Sequence, residues 1–535
     1  GGEKAPERAD FALNLVASRV GGNAICSDMN LSAGKSASLN LEIASIEGYA
    51  LFRRITAEGG VSSPGLNVVR NMDFSGACIR AGGLDCGGAI IGGDVGLIAG
   101  FLLGGTFNLT AAKINGGLLC FLAQDPDKPG SGPFLPAAQI VNGSDPALVA
   151  QKARFGRVML DGVVFSGGVN FSDSVVEGEF RIKGVLLAGK AATTLNFQHA
   201  RVSSVFRFRD LVACPEEVAH AACVERMEAA RESDAIPPLN SVVASKAVHG
   251  TFEFKQMQID SLDDDFASWK LASGKIDFDD FEYKRLTYPF TTDANAQGGK
   301  EGWGIKDFLG LDHPELRLGR VEWLALQKPS NLNTENYRPQ PWIQLASTLR
   351  AMGHLKDARG VAIAQQYQLR EAKRVRRGEL QLHYFFGLFS RFGYHPLRLA
   401  LWLCVPWILA SLLFWIAVNP EIRPWPDSTG YWIEPTRQVP DFECLARHAG
   451  EVPGPRCLRT PSYSEFFPPA HAADTLLPII SLGYKASWQP VITDAKGAYL
   501  AGGLVVQLTS WFLIIIGWIG GAMLAGAVGT LVRKD

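Results

Sequence analysis

Through the first half of the chain, apolar and small residues fall on alternate positions around a central glycine, in a nine-residue pattern that keeps returning. It reads Ala44-x-Ile46-x-Gly48-x-Ala50-x-Phe52, then Ala89-x-Ile91-x-Gly93-x-Val95-x-Leu97 and Ala112-x-Ile114-x-Gly116-x-Leu118-x-Cys120. Looser copies run from Val163 to Phe171, Ser174 to Ile182, Ala200 to Phe208 and Val248 to Phe254. Alternation with period two places the named residues on one face of an extended chain, the buried one. A single template repeated in this way predicts a solenoid, because such a coil cannot bury its apolar face alone and must stack on its neighbours.

The central glycines Gly93, Gly105 and Gly116, and later Gly167 and Gly178, recur about every eleven or twelve residues, which leaves few residues for each corner. Paired glycines at Gly82 and Gly83, Gly87 and Gly88, and Gly104 and Gly105 suit corners that need positive φ and close backbone approach. The expected fold is mainly β: a right-handed parallel β-helix over residues 30–285, its hand taken from the rule for parallel crossovers, after a lead-in or cap over 1–29. A β-sandwich is the rival, and it fits less well because the copies share one template. Two interruptions are expected within the coils. Residues 124–157 hold Asp125, Pro126, Asp127, Pro129, Gly130 and Gly132 and read as a loop-rich excursion, while 215–233 read as a helix opening on Pro215, with Cys214 and Cys223 beside or within it.

A linker over 286–336 then leads to an α-helical region, 337–396. Trp342, Leu345, Ala346 and Leu349 recur at helical spacing, Gly353 is a stop, and a second helix carries Ala358, Val361, Ala362 and Tyr367. This hairpin is expected to cap the solenoid. Its second helix ends in a basic membrane-surface cluster, Arg370, Lys373, Arg374, Arg376 and Arg377, followed by Tyr384, Phe385, Phe386, Leu388 and Phe392.

Residues 397–418 and 499–532 are apolar runs long enough to be transmembrane helices 1 and 2 across a hydrocarbon core of roughly 30 Å. Basic flanks precede the first, with Arg391 and Arg398, and follow the second, with Arg533 and Lys534, so both termini are expected on the cytoplasmic side of a bacterial inner (plasma) membrane. The lipid bilayer is then a partner, with the basic helix along the anionic leaflet. The connecting segment 419–498 is expected outside the cytoplasm, where Cys444 and Cys457 are the disulfide candidate. In the second span Gly517, Gly521, Ala525 and Gly529 recur every four residues and form a small-residue packing face, for the first span or for a second copy in a homo-oligomer.

Composition adds limits. The 535 residues are 47% hydrophobic and 20% charged, with net charge -1, which fits two or three domains and points away from nucleic acid. The nine cysteines show no C-x-x-C and no metal spacing.

The A-x-I-x-G-x-L repeats, the segment Pro341-Trp-Ile-Gln-Leu-Ala through Gly353 to Arg359, the sequence Gly393-Tyr-His-Pro-Leu-Arg398, and Asp474-Thr-Leu-Leu-Pro478 with Leu482, Gly483 and Trp488 together carry a resemblance. The chain resembles bacterial membrane-associated, pentapeptide-repeat-like β-solenoid proteins that end in a two-helix membrane hairpin. Members are sometimes labelled membrane-associated oxidoreductase, so the resemblance implies a layout and, through that label, an enzyme.

The residues themselves supply no redox site. The glycines from Gly82 to Gly105 lack the G-x-G-x-x-G of a dinucleotide site, and Ala33-Gly34-Lys35-Ser36 lacks a phosphate-loop glycine because Met29 stands in its place. No catalytic, cofactor-binding or metal residue is assigned, and no cofactor is expected. The acidic run Asp260, Asp263, Asp264, Asp265 reads as a solvated loop. An ion channel or transport component is the third class considered, because Thr475 to Tyr484 lies between the spans. Lys485 would repel cations there and Pro478 interrupts the helix, so the segment is read as an interfacial helix anchored by Trp488. The expected function is therefore a membrane-anchored scaffold or interaction platform, binding other proteins through the solenoid surface.

Overall fold

The computed structural model describes residues 11–32, 37–121, 138–213, 247–287, 319–333, 336–419, 421–422, 432–433, 466–477, 480–493 and 497–534. The chain divides into two compact units, with the break between Arg374 and Val375.

The first unit is a parallel β-solenoid of about nine turns closed by helices. Among the described residues its strands form two all-parallel sheets, and most strands are only two residues long. Asn67 pairs with Ile90, and Ile90 with Lys113, a step of 23 residues between these coils; others step by 21 to 26. Each such coil carries four short strands, two in each sheet, and the two bends between paired strands account for the spacing of eleven or twelve seen in the sequence. The nine-residue pattern spans a bend: Ser45–Ile46 and Ala50–Leu51 are separate strands on either side of Gly48, and all five patterned residues there are buried. The copies beginning at Val163 and Val248 belong to the opposite sheet. A further copy, Leu66-x-Val68-x-Arg70-x-Met72-x-Phe74, stacks between the first two strict ones, with Arg70 in the glycine position.

One corner is built the same way seven times. The side-chain oxygens of Asn14, Asn40, Asp85, Asn108, Asn170, Asn196 and Asp277 each accept the backbone N–H two residues on, at 2.9–3.1 Å. The intervening residue packs inward, and the third residue on takes a left-handed conformation: Ala17, Ile43, Gly88, Ala111, Asp173, His199 and Asp280. Asx side chains favour this turn by bonding their own backbone. Glycine is needed where coils touch: Gly82, Gly83 and Gly105 have positive φ, and a Cβ on Gly83 would lie 2.5 Å from the Thr106 carbonyl oxygen.

Several boundaries differ from expectation. Coils already run through the expected lead-in, since Phe11 pairs with Ala37, Arg19 with Ser45 and Ala24 with Ala50. The first excursion is shorter than 124–157, because strands Ala138–Val149 and Arg154–Asp161 are coil residues, while the turn-like stretch from Asp125 to Gly132 lies outside the described residues. The coil step lengthens there from 23 to 41 residues (Lys113 to Arg154) and again to 57 (Arg201 to Gln258), where the expected helix 215–233 and its two cysteines lie outside the described residues. The acidic run is not a loop: Asp260, Asp263 and Asp264 sit on strand Gln258–Asp264, and Asp265 caps the one-turn helix Phe266–Lys270.

Inside, the core changes character along the stack. Early coils are filled mainly by Leu, Ile, Val and Ala, and later ones by an aromatic column in which Phe171, Phe197 and Phe254 lie 5.7 and 5.3 Å apart, continuing to Trp269 and Trp323. Helix α1 (Gly319–Ala325), within the expected linker, brings Trp323 onto that column. Helices α2 (Gln340–Ala351) and α3 (Leu355–Glu371) form the hairpin, and Gly353 turns between them with φ +85°. Gln344 Nε2 and Thr348 Oγ1 donate to the Tyr283 carbonyl at 2.7 and 3.1 Å, so α2 covers the last strand, Glu282–Leu286.

The second unit contains α4 (Leu380–Ser390), α5 (Pro396–Val418), the short α6 (Pro468–Leu476) and α7 (Ala501–Lys534). Two of its helices are long and apolar enough to cross a membrane, Pro396–Val418 and Ala501–Ala527, with mean hydropathy 2.2 and 1.8. Only 17% and 22% of their most apolar windows are buried, unlike core helices of a soluble domain.

Candidate functional site

The greatest concentration of buried polar groups in the second unit lies where α6 packs against both long helices. Trp407, at the midpoint of α5, donates its indole N–H to the Pro469 carbonyl at 2.9 Å. Ala410, Phe414 and Ala417 of α5 form a small core with Ala472 and Leu476 of α6 and with Val506 and Leu513 of α7. Gly517 has no side chain because the Leu476 carbonyl oxygen occupies the place a Cβ would take. Gly520 meets Leu403 directly, at 2.7 Å from its would-be Cβ.

Three polar residues of α6 are buried: His471, Asp474 and Thr475. Thr475 Oγ1 returns to the His471 carbonyl at 2.8 Å, which keeps its hydroxyl satisfied within the helix. Asp474 does more, since its two oxygens accept the backbone N–H groups of Leu482 at 2.6 Å and Lys485 at 2.7 Å. A carboxylate holding two backbone donors fixes the path of the chain after the helix. Gly483, at φ +84°, permits the turn, and Tyr484–Ser487 closes with a single helical turn. The segment Thr475 to Tyr484, expected to lie at the interface, thus begins inside the helix packing; Trp488 stacks edgewise on Phe466 at 5.5 Å.

The expected packing face on the second span is divided. Gly517 is buried in contact with α6, Gly521 is half-buried, and Ala525 and Gly529 are exposed in the single chain. The face turned toward α5 and α6 instead runs through Val506, Ser510, Leu513, Gly517 and Gly520. Of the basic cluster, Lys373, Arg374, Arg376 and Arg377 are exposed, and the half-buried Arg370 lies over the Tyr367 ring at 5.1 Å. Cys444 and Cys457 lie outside the described residues, as does Ala33-Gly34-Lys35-Ser36.

In the solenoid unit the acidic run is consumed by ion pairs. Asp260 meets Lys284 at 2.6 Å, and Asp263 is shared by Arg207 and Arg209. Asp264 is buried and holds Arg320 in a two-pronged pair, both contacts 2.8 Å, while also accepting from the Trp269 indole. A shallow hollow lined by Phe121, Met159, Asp161, Arg181 and Lys183 is likewise charge-balanced, with Arg181 bonded to Glu179 and Asp161. Five cysteines, Cys26, Cys78, Cys86, Cys120 and Cys404, are free thiols. Burial pushes the Cys86 thiol from 9.0 up to about 12 and Cys120 higher still, so these are inert core residues. Among the described residues no group of three or more His, Cys, Asp or Glu is placed to hold a metal ion.

Sequence reasoning missed the depth of α6 and the role of Asp474. The signal was Asp474 itself, an acidic residue in a short apolar stretch between two long apolar runs. Comparison with known protein families, with curated proteins and with solved structures finds no match for this chain.

Proposed function

We propose that this chain is a membrane-anchored scaffold: the two long helices hold it in a bacterial inner membrane with both termini cytoplasmic, and the solenoid presents an interaction surface for other proteins. The observation that carries the reading is the pairing on one chain of a rigid nine-turn solenoid with two long apolar helices whose sides are left open. Coil-to-coil hydrogen bonding makes the solenoid stiff, and its outward rows of paired charges, such as Glu179, Arg181, Arg207 and Asp263, form an ordered polar surface. Exposed Arg376 and Arg377 before α4, with Arg391 and Arg398 near α5, favour the cytoplasmic side for that end of the hairpin.

The test has two parts. A reporter active only outside the cytoplasm should be active when fused at Asp441 and silent after Asp535; the reverse pattern overturns the orientation. Crosslinking of the full chain in intact cells, with the crosslinked positions mapped, should join other proteins to outward residues of the coils. Crosslinks confined to α5 and α7 would remove the platform role.

A further inference from the structure

The chain dips into the helix packing of the second unit and returns by the way it came. Phe466, just before α6, and Trp488, just after the turn Tyr484–Ser487, stack on each other, so the descending and ascending strands of this excursion lie side by side. Between them α6 starts against the midpoint of α5, where Trp407 bonds the Pro469 carbonyl, and ends with Leu476 on Gly517 of α7. By Val491 the chain is beside Gly503, whose missing side chain makes room for the Val491 carbonyl. The climb from Gly517 to Gly503 is fourteen positions of α7, about 21 Å at 1.5 Å per residue. Helix α6 itself has nine residues and reaches only about 13 Å, too short to cross.

If α5 and α7 span the bilayer, this places irregular backbone at membrane depth. Hydrocarbon does not tolerate that: each unpaired N–H or C=O costs several kcal/mol, and non-helical backbone survives only where protein buries it or water reaches it. Asp474 satisfies two of the N–H groups, those of Leu482 and Lys485. Among the described residues most of the rest of the turn is left open. Ile480 and Leu482 are 56% and 49% exposed, and Ser481, Lys485 and Ala486 are exposed beside them. Lys485 is the one charged side chain on the described part of this turn that is turned outward, and no acidic side chain pairs with it among the described residues. A desolvated ammonium facing lipid is more costly still. The exposed turn and the exposed charge require the same thing, an aqueous face, which the described residues of one chain do not enclose.

Taking the membrane reading above as its premise, we infer that several copies of this chain assemble around α6 and the turn Ile480–Ser487 and enclose a water-filled path, in which a ring of Lys485 side chains favours small inorganic anions. A further copy is the occupant that fits, because each copy brings the same open turn and the same need to cover it, and closed rings of identical chains meet that need for all members at once. Exposed Ala525 and Gly529 on α7 leave the copies a surface on which helices can approach closely. The charge chemistry is opposite to that of a cation filter: a ring of ammonium groups attracts chloride and repels potassium. Asp474, though acidic, is buried and engaged with backbone, so it shapes the turn without facing the path.

The full chain, expressed in bacterial membranes, is first tested for resistance to extraction by alkaline carbonate and release by mild detergent. Release by carbonate alone sinks the membrane reading itself. With membrane integration established, the detergent-solubilised chain should have a native mass of more than one copy, and after reconstitution into phosphatidylcholine vesicles it should release trapped chloride about tenfold faster than protein-free vesicles. Lys485→Glu should shift the chloride-to-potassium release ratio toward potassium, and the lipid-facing variant Ile515→Ala should leave it unchanged. A membrane-integral protein that is monomeric, vesicles no leakier than empty ones to either ion, or a release ratio unmoved by Lys485→Glu would each overturn the proposal. Because Lys485→Glu is read as a ratio, a general loss of folded protein does not mimic the expected result.

Discussion

The solenoid unit and the helical second unit are built on opposite plans. In the solenoid almost every contact is repeated: Asn67, Ile90 and Lys113 occupy one position in successive coils, and the Asx corner recurs from Asn14 to Asp277. In the second unit the decisive contacts occur once. One carboxylate, Asp474, directs one turn, and one glycine, Gly517, admits one carbonyl. Repetition spreads stability over many equivalent bonds, whereas a unique contact concentrates structure in a few atoms, so damage should spread differently in the two units.

The largest effect is expected at the place where the solenoid is least repetitive, its closing end. Asp264→Ala strands the buried Arg320 guanidinium and should destabilise the solenoid by about 3–5 kcal/mol in urea unfolding of the detergent-solubilised chain. The double change Asp264→Leu with Arg320→Met should recover most of that loss, because no charge is then left unpaired; failure to recover would mean the pair does more than neutralise itself.

Within the repeats, Gly116→Leu comes next. A Cβ there would lie 2.6 Å from both the Gly93 carbonyl carbon and Asp94 Oδ1, so the coils must part, at about 3 kcal/mol. The neighbouring exposed Asn115→Ala should stay within about 0.5 kcal/mol. Equal tolerance at the two positions would break the comparison, since a repeat that absorbs a side chain between coils is not tightly stacked.

In the second unit Gly517→Leu should unseat α6 at a local cost of about 2 kcal/mol, read as lost hydrogen-exchange protection over 468–476 with the solenoid transition unmoved. Gly526→Ala, with open space around it, should change nothing. If the solenoid transition shifts with Gly517→Leu, the two units are not energetically separate.

At neutral pH the smallest effect is electrostatic, since it is absent there and grows only in alkali. Below pH 9 the Cys86 thiol is protonated in both the folded and the unfolded chain. Above it the unfolded chain gives up a proton that the folded core retains, so stability is lost as pH rises from 9 toward 12. Cys86→Ala should therefore flatten the alkaline decline by about 1.4 kcal/mol per pH unit in that window. An unchanged slope would mean the thiol ionises in place.

What could be read from the sequence follows the same division. The period-two pattern exposed the coils because each copy repeats one constraint, and the two apolar runs exposed α5 and α7 through length alone. The coil at Leu66 escaped because Arg70 stands where the pattern has glycine, its side chain reaching outward over Tyr49 at 5.4 Å. The Asx corner escaped because glycine pairs are the stronger turn signal in the sequence, whereas Ala17, Ile43, Ala111 and His199 adopt the left-handed conformation without glycine. Helix α6 has nine residues and no period to detect, and its position depends on Trp407 and Gly517, far away in sequence. A segment whose place is set by two distant single contacts leaves little local trace.

The 23-residue step also makes the solenoid a ruler with discrete marks. Excising residues 67–89 would join Leu66 to Ile90, a residue that already stands in the place of Asn67, so the hydrogen-bond ladder would close without a seam and the stack would shorten by one strand spacing, about 4.8 Å. Removing one residue more or fewer would be taken up at a corner, since coils already step by 21, 22, 24 and 26 residues elsewhere with their strands in register. The height of the stack is therefore gained or lost in whole coils, whatever the number of residues each coil spends on its corners.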